Sequence, residues 1–325
     1  GFTDYMPGRH RGTWSSRVSF IGNWSYPLCS LIAMGLTPLI SAEWNWRVQL
    51  LIPAILSLIA TALAWRYFPE SPRWLESRGR YQEAEKVMRS IEEGVIRQTG
   101  KPLPPVVIAD DGKAPQAVPY SALLTGVLLK RVILGSCVLI AMNVVQYTLI
   151  NWLPTIFMTQ GINLKDSIVL NTMSMFGAPF GIFIAMLVMD KIPRKTMGVG
   201  LLILIAVLGY IYSLQTSMLL ITLIGFFLIT FVYMYVCYAS AVYVPEIWPT
   251  EAKLRGSGLA NAVGRISGIA APYAVAVLLS SYGVTGVFIL LGAVSIIVAI
   301  AITTIGIETK GVSVESLSID AVANK

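Results

Sequence analysis

The stretch PEIWPTEAKLRG (Pro245–Gly256) is a charged bridge between two apolar runs, 218–243 and 257–280. Within it Glu246, Pro249 and the pair Arg255-Gly256 give the order acid, proline, arginine-glycine. The same order stands near the start, at Asp4, Pro7 and Arg11-Gly12. Each copy is followed by two apolar runs and then by an acid–base signature: PESPR at 69–73 after the first copy, ETKG at 308–311 after the second. A repeat is read before a fold is assigned. A membrane helix needs about 20 apolar residues. Eight such runs are legible, at roughly 16–40, 48–68, 131–153, 168–189, 197–213, 218–243, 257–280 and 284–306. Four of them lie between the first unit and the second. If the two halves are equivalent, four more spans, or about 120 residues, precede the first copy, and the intact protein has twelve spans as six plus six. The expected fold is an all-α integral membrane helix bundle.

Composition excludes a soluble chain. Hydrophobic residues are 55% of the 325 and charged residues 13%, where soluble domains carry about 25% charge. Mean hydropathy is +0.70. So little charge cannot cover a surface in water, so the solvent is mostly lipid. Cys29, Cys137 and Cys237 are odd in number and widely spaced, and indicate neither a disulfide framework nor a metal site. No nucleophile–base pair, phosphate loop or zinc spacing is legible. The expectation is a protein that is not an enzyme, with no cofactor and no metal, and with any active transport drawn from an ion gradient.

The net charge of +7 is explained by placement. With both ends of the chain cytoplasmic, 21 of the 24 basic residues fall on the cytoplasmic side. Arg47 and Lys165 fall outside, and Arg265 lies within a span. This is the positive-inside asymmetry, so no nucleic-acid partner is expected. The organisation reads as 1–68, two helices closing a first bundle; 69–130, a cytoplasmic central loop; 131–307, a six-helix bundle; and 308–325, a cytoplasmic tail. In the central loop, Ala84, Val87, Met88 and Ile91 recur at helical spacing among charges, which predicts a surface helix. KPLPPVVIADDGKAPQAVP (101–119) reads as a linker.

PESPRWL (69–75), PEIWPTEAKLRG (245–256) and ETKGVSVESL (308–317) together resemble the major facilitator superfamily. The resemblance is to the branch of sugar porters, organic-ion transporters and metabolite:proton symporters. It implies a twelve-helix transporter of which helices five to twelve are present, working by alternating access as a monomer in the inner or plasma membrane. DKIPRK (190–195) resembles the family's D-R-x-G-R-K loop, with Pro193 in the glycine position. The sugar-porter pattern Q-Q-x-x-G-x-N is not found in AMNVVQYTLINWLPTIF (141–157), which instead looks like the organic-acid and metabolite branch.

Asp4, Arg11, Glu70, Arg73, Asp190, Arg194, Glu246, Arg255 and Glu308 all sit at expected cytoplasmic span ends. Each can pair with an opposite charge or a helix terminus. The resemblance implies a network that holds the halves together in one state of the cycle. The alternative is a set of solvated charges that only enforce topology.

Arg265 is different. It lies about ten residues into its span, roughly 15 Å deep at 1.5 Å per residue. A charge near mid-bilayer costs at least about 2.5–3.5 kcal/mol and is read as functional by default. Gly258, Asn261, Arg265, Gly268 and Pro272 share one helix face. No Asp or Glu lies deep in any of the eight runs. A planar guanidinium without a visible counter-charge suits a carboxylate. The resemblance agrees, since the organic-anion branch carries arginine in a similar R-x-G-x-x-x-P pattern, here with one extra residue before Gly268. The alternative pairs Arg265 with an acid on another helix or with backbone carbonyls. Asn143, Tyr147 and Asn151, at i, i+4 and i+8, form a polar stripe flanked by Gln146 and Trp152, facing either a cavity or another helix. Phe231, Tyr235 and Tyr238 share a face that could stack on a planar substrate. Tyr233 reads equally as packing between helices, Tyr243 as part of an interfacial aromatic belt, and Asn23 and Tyr26 as lining from the other half.

The expectation is a secondary transporter of a small organic anion, an aromatic or other carboxylate, coupled to protons. The substrate and the protons are its partners, with the lipid bilayer around it. The alternatives are a sugar or neutral-metabolite porter, a drug exporter of the same superfamily, or a non-transporting fragment or transceptor.

Overall fold

The computed structural model describes residues 11–70, 72, 75, 79–100, 119–189, 191–249 and 252–309, with side chains from Arg17 onward. All regular structure among them is helical: α1 (Arg11–Asn23), α2 (Ser25–Leu36), α3 (Ala42–Tyr67), α4 (Tyr81–Thr99), α5 (Tyr120–Leu123), α6 (Gly126–Thr159), α7 (Leu164–Met175), α8 (Gly177–Val188), α9 (Arg194–Ser213), α10 (Met218–Val236), a π-helical segment (Cys237–Tyr243), α11 (Val244–Glu246) and α12 (Lys253–Ile305). Hydrocarbon offers no partner to a backbone N–H or C=O, so a helix, which satisfies its own, is the natural result.

Six described helical runs are long and apolar enough to cross a membrane: α3, α6, α7–α8 taken as one (Leu164–Val188), α9, α10 through α11 (Met218–Glu246), and α12. Three expected spans are built differently. The first is split into α1 and α2, 13 and 12 residues long, with Trp24 between them. The last two are one run of 53 residues, α12, about 80 Å at 1.5 Å per residue and too long for a single crossing. The run is broken at Gly283, whose φ of 69° and ψ of −161° are not helical. A side chain added at Gly286 would meet the Leu278 carbonyl at 3.3 Å, a distance impossible eight residues apart on one helix. The chain therefore reverses at Gly283, dividing α12 into 253–282 and 284–305. A backbone pair with positive φ and ψ near ±160° is open essentially to glycine alone.

The described contacts divide the chain into two compact units, 1–18 with 39–114 and 19–38 with 115–325. The division does not follow the expected boundary at 68, because α2 belongs with the large unit. There the α1–α2 segment meets later helices through rings: Phe20 with Phe183 at 6.1 Å, Trp24 with Phe176 at 6.3 Å, and Tyr26 with Tyr233 at 5.2 Å.

In the smaller unit, α3 buries none of its side chains. Its ends carry interfacial anchors. Arg47 lies over the rings of Trp44 and Trp46, and Arg66 over Tyr67, as expected where a span leaves the hydrocarbon. The expected surface helix is α4, closed by Gly100 in the left-handed conformation. Arg80 and Glu83 pair on its exposed face at 2.6 Å. The hydrogen bond from Arg80 holds the Glu83 carboxyl below its ordinary range.

In the larger unit, close helix approach comes from Gly177 and Gly181, a small-x-x-x-small pair on α8. A side chain at Gly177 would meet the Phe226 carbonyl oxygen at 2.6 Å, and one at Gly181 would overlap the Thr230 carbonyl. Apolar tails give no hydrophobic drive between helices, so van der Waals contact of this kind holds them. Gly181→Val is therefore expected to cost about 1–3 kcal/mol and to lower the thermal midpoint of the detergent-solubilised protein by roughly 3–10 °C. Gly200→Val, at a position with nothing within 4 Å, is expected to leave the midpoint within about 1–2 °C. Equal shifts for the two variants would discard this packing account.

Candidate functional site

Two polar clusters stand out in the larger unit, one at a helix end and one at depth. At the helix end, α9 begins with Arg194 and Lys195, whose backbone N–H groups have no partner within the helix. Glu308 supplies them: its carboxylate accepts from the Arg194 N–H at 2.8 Å and the Lys195 N–H at 3.2 Å. An anion at a helix N-terminus also gains from the aligned peptide dipoles. The Arg194 side chain meanwhile forks onto Glu246, with Nε to Oε2 at 3.0 Å and Nη2 to Oε1 at 3.2 Å. It also donates to the Met189 carbonyl. Thr309 donates to Glu246 at 2.7 Å. Tyr243 donates to the Ile307 carbonyl and accepts from the Ile307 N–H, both at 3.0 Å. Here the second-copy motif residues Glu246 and Glu308 meet Arg194 of the DKIPRK loop. These pairs lie inside one unit, tying α9, the end of α10–α11 and the end of α12.

The other motif charges lie apart from these pairs in the sequence. Arg255 lies over the Tyr120 ring at 5.1 Å. Glu70 is exposed. Asp4, Arg73, Asp190 and the Arg11 side chain lie outside the described residues.

The second cluster centres on Arg265, an exposed residue twelve positions into α12 and about 18 Å along the helix from Lys253. Its Nη1 donates to the Tyr147 hydroxyl at 2.5 Å. The Tyr147 ring rests on Gly268, where an added side chain would lie 3.2 Å from it. The R-x-x-G spacing thus seats the tyrosine that the arginine holds. Asn261 and Asn151 are exposed, and Asn261 donates to its own Ser257 carbonyl at 2.8 Å. Asn143 is buried, donates to the Leu139 carbonyl at 2.8 Å, and abuts Gly264. Of the expected stripe, Tyr147 meets Arg265 and Asn143 faces the α12 packing surface.

The expected stacking face is not available. Tyr235 is 1% exposed and its hydroxyl donates to the Val138 carbonyl at 2.9 Å. Tyr238 is fully buried, stacked on Tyr243 at 5.1 Å and packed against Gly198. Tyr243 is equally buried, not an interfacial ring. Phe231, Tyr235 and Tyr238 share a face by spacing, but spacing cannot say whether that face meets a cavity or a helix. The group that spacing undervalued is Tyr233. It is 1% exposed and sits against Tyr26, with Gln146 and Tyr147 beside its hydroxyl. Four hydroxyl- or amide-bearing residues meeting from α2, α6 and α10 could not be foreseen from their separation along the chain.

Over residues 2–272 the sequence matches the Major Facilitator Superfamily. The chain belongs to the Major Facilitator Superfamily. It is 99% identical over its whole length to the Escherichia coli (strain K12) chain YdjK, named for metabolite transport, and spans 71% of it. It is 44% identical to the inner membrane metabolite transport protein YdjE of the same organism, with 98% of this chain and 70% of that one covered. The fold is similar to the partially occluded, inward-open xylose transporter XylE from E. coli, at a TM-score of 0.70 and 18% identity, over 96% of this chain and 67% of that one. A member of this superfamily is an integral membrane transporter of metabolites and not an enzyme, as the composition and motifs led one to expect.

Within this superfamily chain the Arg194–Glu246 pair is a candidate mechanical joint. The Arg194 side chain is 7% exposed and that of Glu246 35%. Glu246→Gln keeps the shape, removes the charge and leaves a buried guanidinium poorly compensated. The expected cost is about 1–3 kcal/mol, read as a lower denaturant midpoint of the detergent-solubilised protein. The exposed Glu93→Gln on α4 is expected to cost under about 0.5 kcal/mol. Equal midpoints for the two variants would reduce the pair to a surface contact.

Proposed function

We propose that this transporter carries a small organic anion whose carboxylate binds Arg265, with protons as the coupling ion. The observation that carries the reading is the Arg265–Tyr147 contact. A cation near mid-depth is held by a neutral hydroxyl, and no other polar contact to Arg265 occurs among the described residues. A phenol orients a guanidinium without neutralising it. The remaining donors of the planar fork stay available for a bidentate carboxylate.

Two comparisons support the reading in different ways. The niacin transporter NiaP of Acinetobacter baylyi is 24% identical over 98% of this chain and 70% of that one, and niacin is a carboxylic acid. The arabinose–proton symporter of Bacillus subtilis, 26% identical over 84% of this chain and 59% of that one, supports proton coupling and keeps a sugar as the second reading. The missing sugar-porter pattern in 141–157 and the presence of Arg265 favour the anion. With Tyr235 and Tyr238 packed away, an aromatic substrate loses the platform expected for it, and the carboxylate alone remains as the recognised group.

The test is uptake into proteoliposomes holding the full-length protein, with a panel of anions and neutral sugars, with and without an inward proton gradient. Anion uptake is expected to rise with the gradient. Arg265→Ala is expected to lower kcat/KM at least about 100-fold, and Arg265→Lys about 10-fold, since lysine keeps the charge but not the fork. Anion uptake unchanged in Arg265→Ala would sink the carboxylate reading. Uptake indifferent to the gradient would remove proton coupling alone.

A further inference from the structure

Resting on the carboxylate reading, we infer that Gly268 is a positioning residue of the anion site. By admitting the Tyr147 ring against the α12 backbone, it sets the direction in which Arg265 meets a carboxylate.

A seam between α6 and α12 provides the placement. Every fourth residue along one stretch of α12 is small: Gly256, Ala260, Gly264 and Gly268. Residues four apart share a helix face. The α6 residues that meet the last three of them, Gly135, Leu139, Asn143 and Tyr147, are also four apart. A side chain added at Gly135 would lie 3.3 Å from the Ala260 Cβ. One added at Gly264 would meet the Leu139 Cβ at 2.9 Å and the Asn143 Nδ2 at 3.0 Å, and one at Gly268 the Tyr147 ring at 3.2 Å and 3.3 Å. Rows of this period interdigitate as ridges and grooves. They hold α6 and α12 in register, and with them Tyr147 and Arg265.

At the last step of the seam the neighbour is a ring that bears on the site. Carbon atoms in ordinary contact lie about 3.5–4.0 Å apart, so a methyl group at Gly268 would displace the Tyr147 ring slightly. A ring is rigid, and its hydroxyl moves with it. That hydroxyl accepts from the Arg265 Nη1 at 2.5 Å. Arg265 and Gly268 stand about one turn apart on α12. A closed path therefore runs from the guanidinium through the phenol and its ring back to the same helix.

Direction matters because of the shape of the fork. A guanidinium carries five N–H donors in one plane. With one Nη1 donor committed to Tyr147, the edge formed by Nε and Nη2 stays whole, and a carboxylate takes such an edge with two parallel bonds. Hydrogen bonds weaken steeply as the donor angle closes. A guanidinium turned out of line keeps its charge and loses one bond of the two. Glycine is also a poorer helix former than alanine, so in Gly268→Ala the gain to the helix opposes the cost of the ring contact. Its thermal midpoint is expected within about 3 °C of the unaltered protein, while affinity for the anion falls.

The experiment uses the full-length protein in proteoliposomes and three radiolabelled acids: lactate, succinate and nicotinate. At least one is expected to show uptake that Arg265→Ala lowers. For that acid Gly268→Ala is expected to raise KM about five- to tenfold with kcat within about twofold. Tyr147→Phe, which keeps the ring and removes the hydroxyl, is expected to raise KM by at least as much. Because Gly268 acts through that hydroxyl, adding Gly268→Ala to Tyr147→Phe is expected to change KM less than about twofold further. Gly292→Ala, on the same helix with nothing within 4 Å, is expected to leave KM unaltered. If Gly268→Ala leaves KM unaltered, or its effect multiplies in full with that of Tyr147→Phe, the positioning role is overturned while the carboxylate reading stands. If none of the three acids shows uptake that depends on Arg265, the carboxylate reading itself has failed and the positioning role falls with it.

Discussion

Every feature of this chain follows from a solvent that cannot hydrogen-bond. In hydrocarbon a polar group must find its partner inside the protein. The backbone does so by helix formation. Small polar side chains do so by folding back on the preceding turn, as Thr230 and Ser174 do on the Phe226 and Leu170 carbonyls. The groups that cannot solve the problem locally are helix termini and long polar side chains. Those are where the clusters form: Glu308 closes the open N–H groups of α9, and Arg265 finds Tyr147.

The two clusters differ in how completely they are matched. At the end of the helices, Glu246 receives from Arg194 and Thr309, Glu308 from two backbone N–H groups, and Tyr243 exchanges two bonds with Ile307. Low dielectric strengthens such bonds when all members are satisfied. This part of the bundle is therefore stiff. Directly before it, α10 passes into the π-helical turn Cys237–Tyr243, whose Tyr238 and Tyr243 are stacked and buried. π-Bulges concentrate at functional sites because they shift the helix register by one residue. Here the shift lets one span present Tyr233 and Tyr235 at depth and Glu246 to Arg194 at its end.

What the sequence discloses is what depends on length and sign. Apolar runs of membrane length survive translation into structure, because each is set by transfer energy. Arg265 was legible for the same reason. Facing was not legible. Tyr235 and Tyr238 share a helical face with Phe231, yet inside a bundle one face can meet lipid, a cavity or another helix, and all three are apolar enough to carry a tyrosine. Only the Val138 carbonyl and Gly198, far away in sequence, show that this face is packed. Tyr243 reads as an interfacial ring for the same reason, because its partner Ile307 is 64 residues distant. The division of the chain was hidden by the same ignorance of contacts: the first span reads as half of a hairpin with α3, but its rings Phe20, Trp24 and Tyr26 meet Phe183, Phe176 and Tyr233.

The choice of tyrosine beside Arg265 has a physical logic of its own. A carboxylate there would neutralise the guanidinium and remove most of the desolvation cost, but an arriving anion would then have to displace it. The cation would be stable and useless as a receptor. With a phenol, one hydrogen bond fixes the direction of the guanidinium and its charge persists. On the proposed anion reading, part of the cost of a charge placed at this level of a span is recovered when an anion enters. A ligand shifts an equilibrium only by its differential affinity for the two states. On the proposed anion reading, substrate-dependent alternation requires only that one state of the cycle hold the anion at Arg265 more tightly than the other.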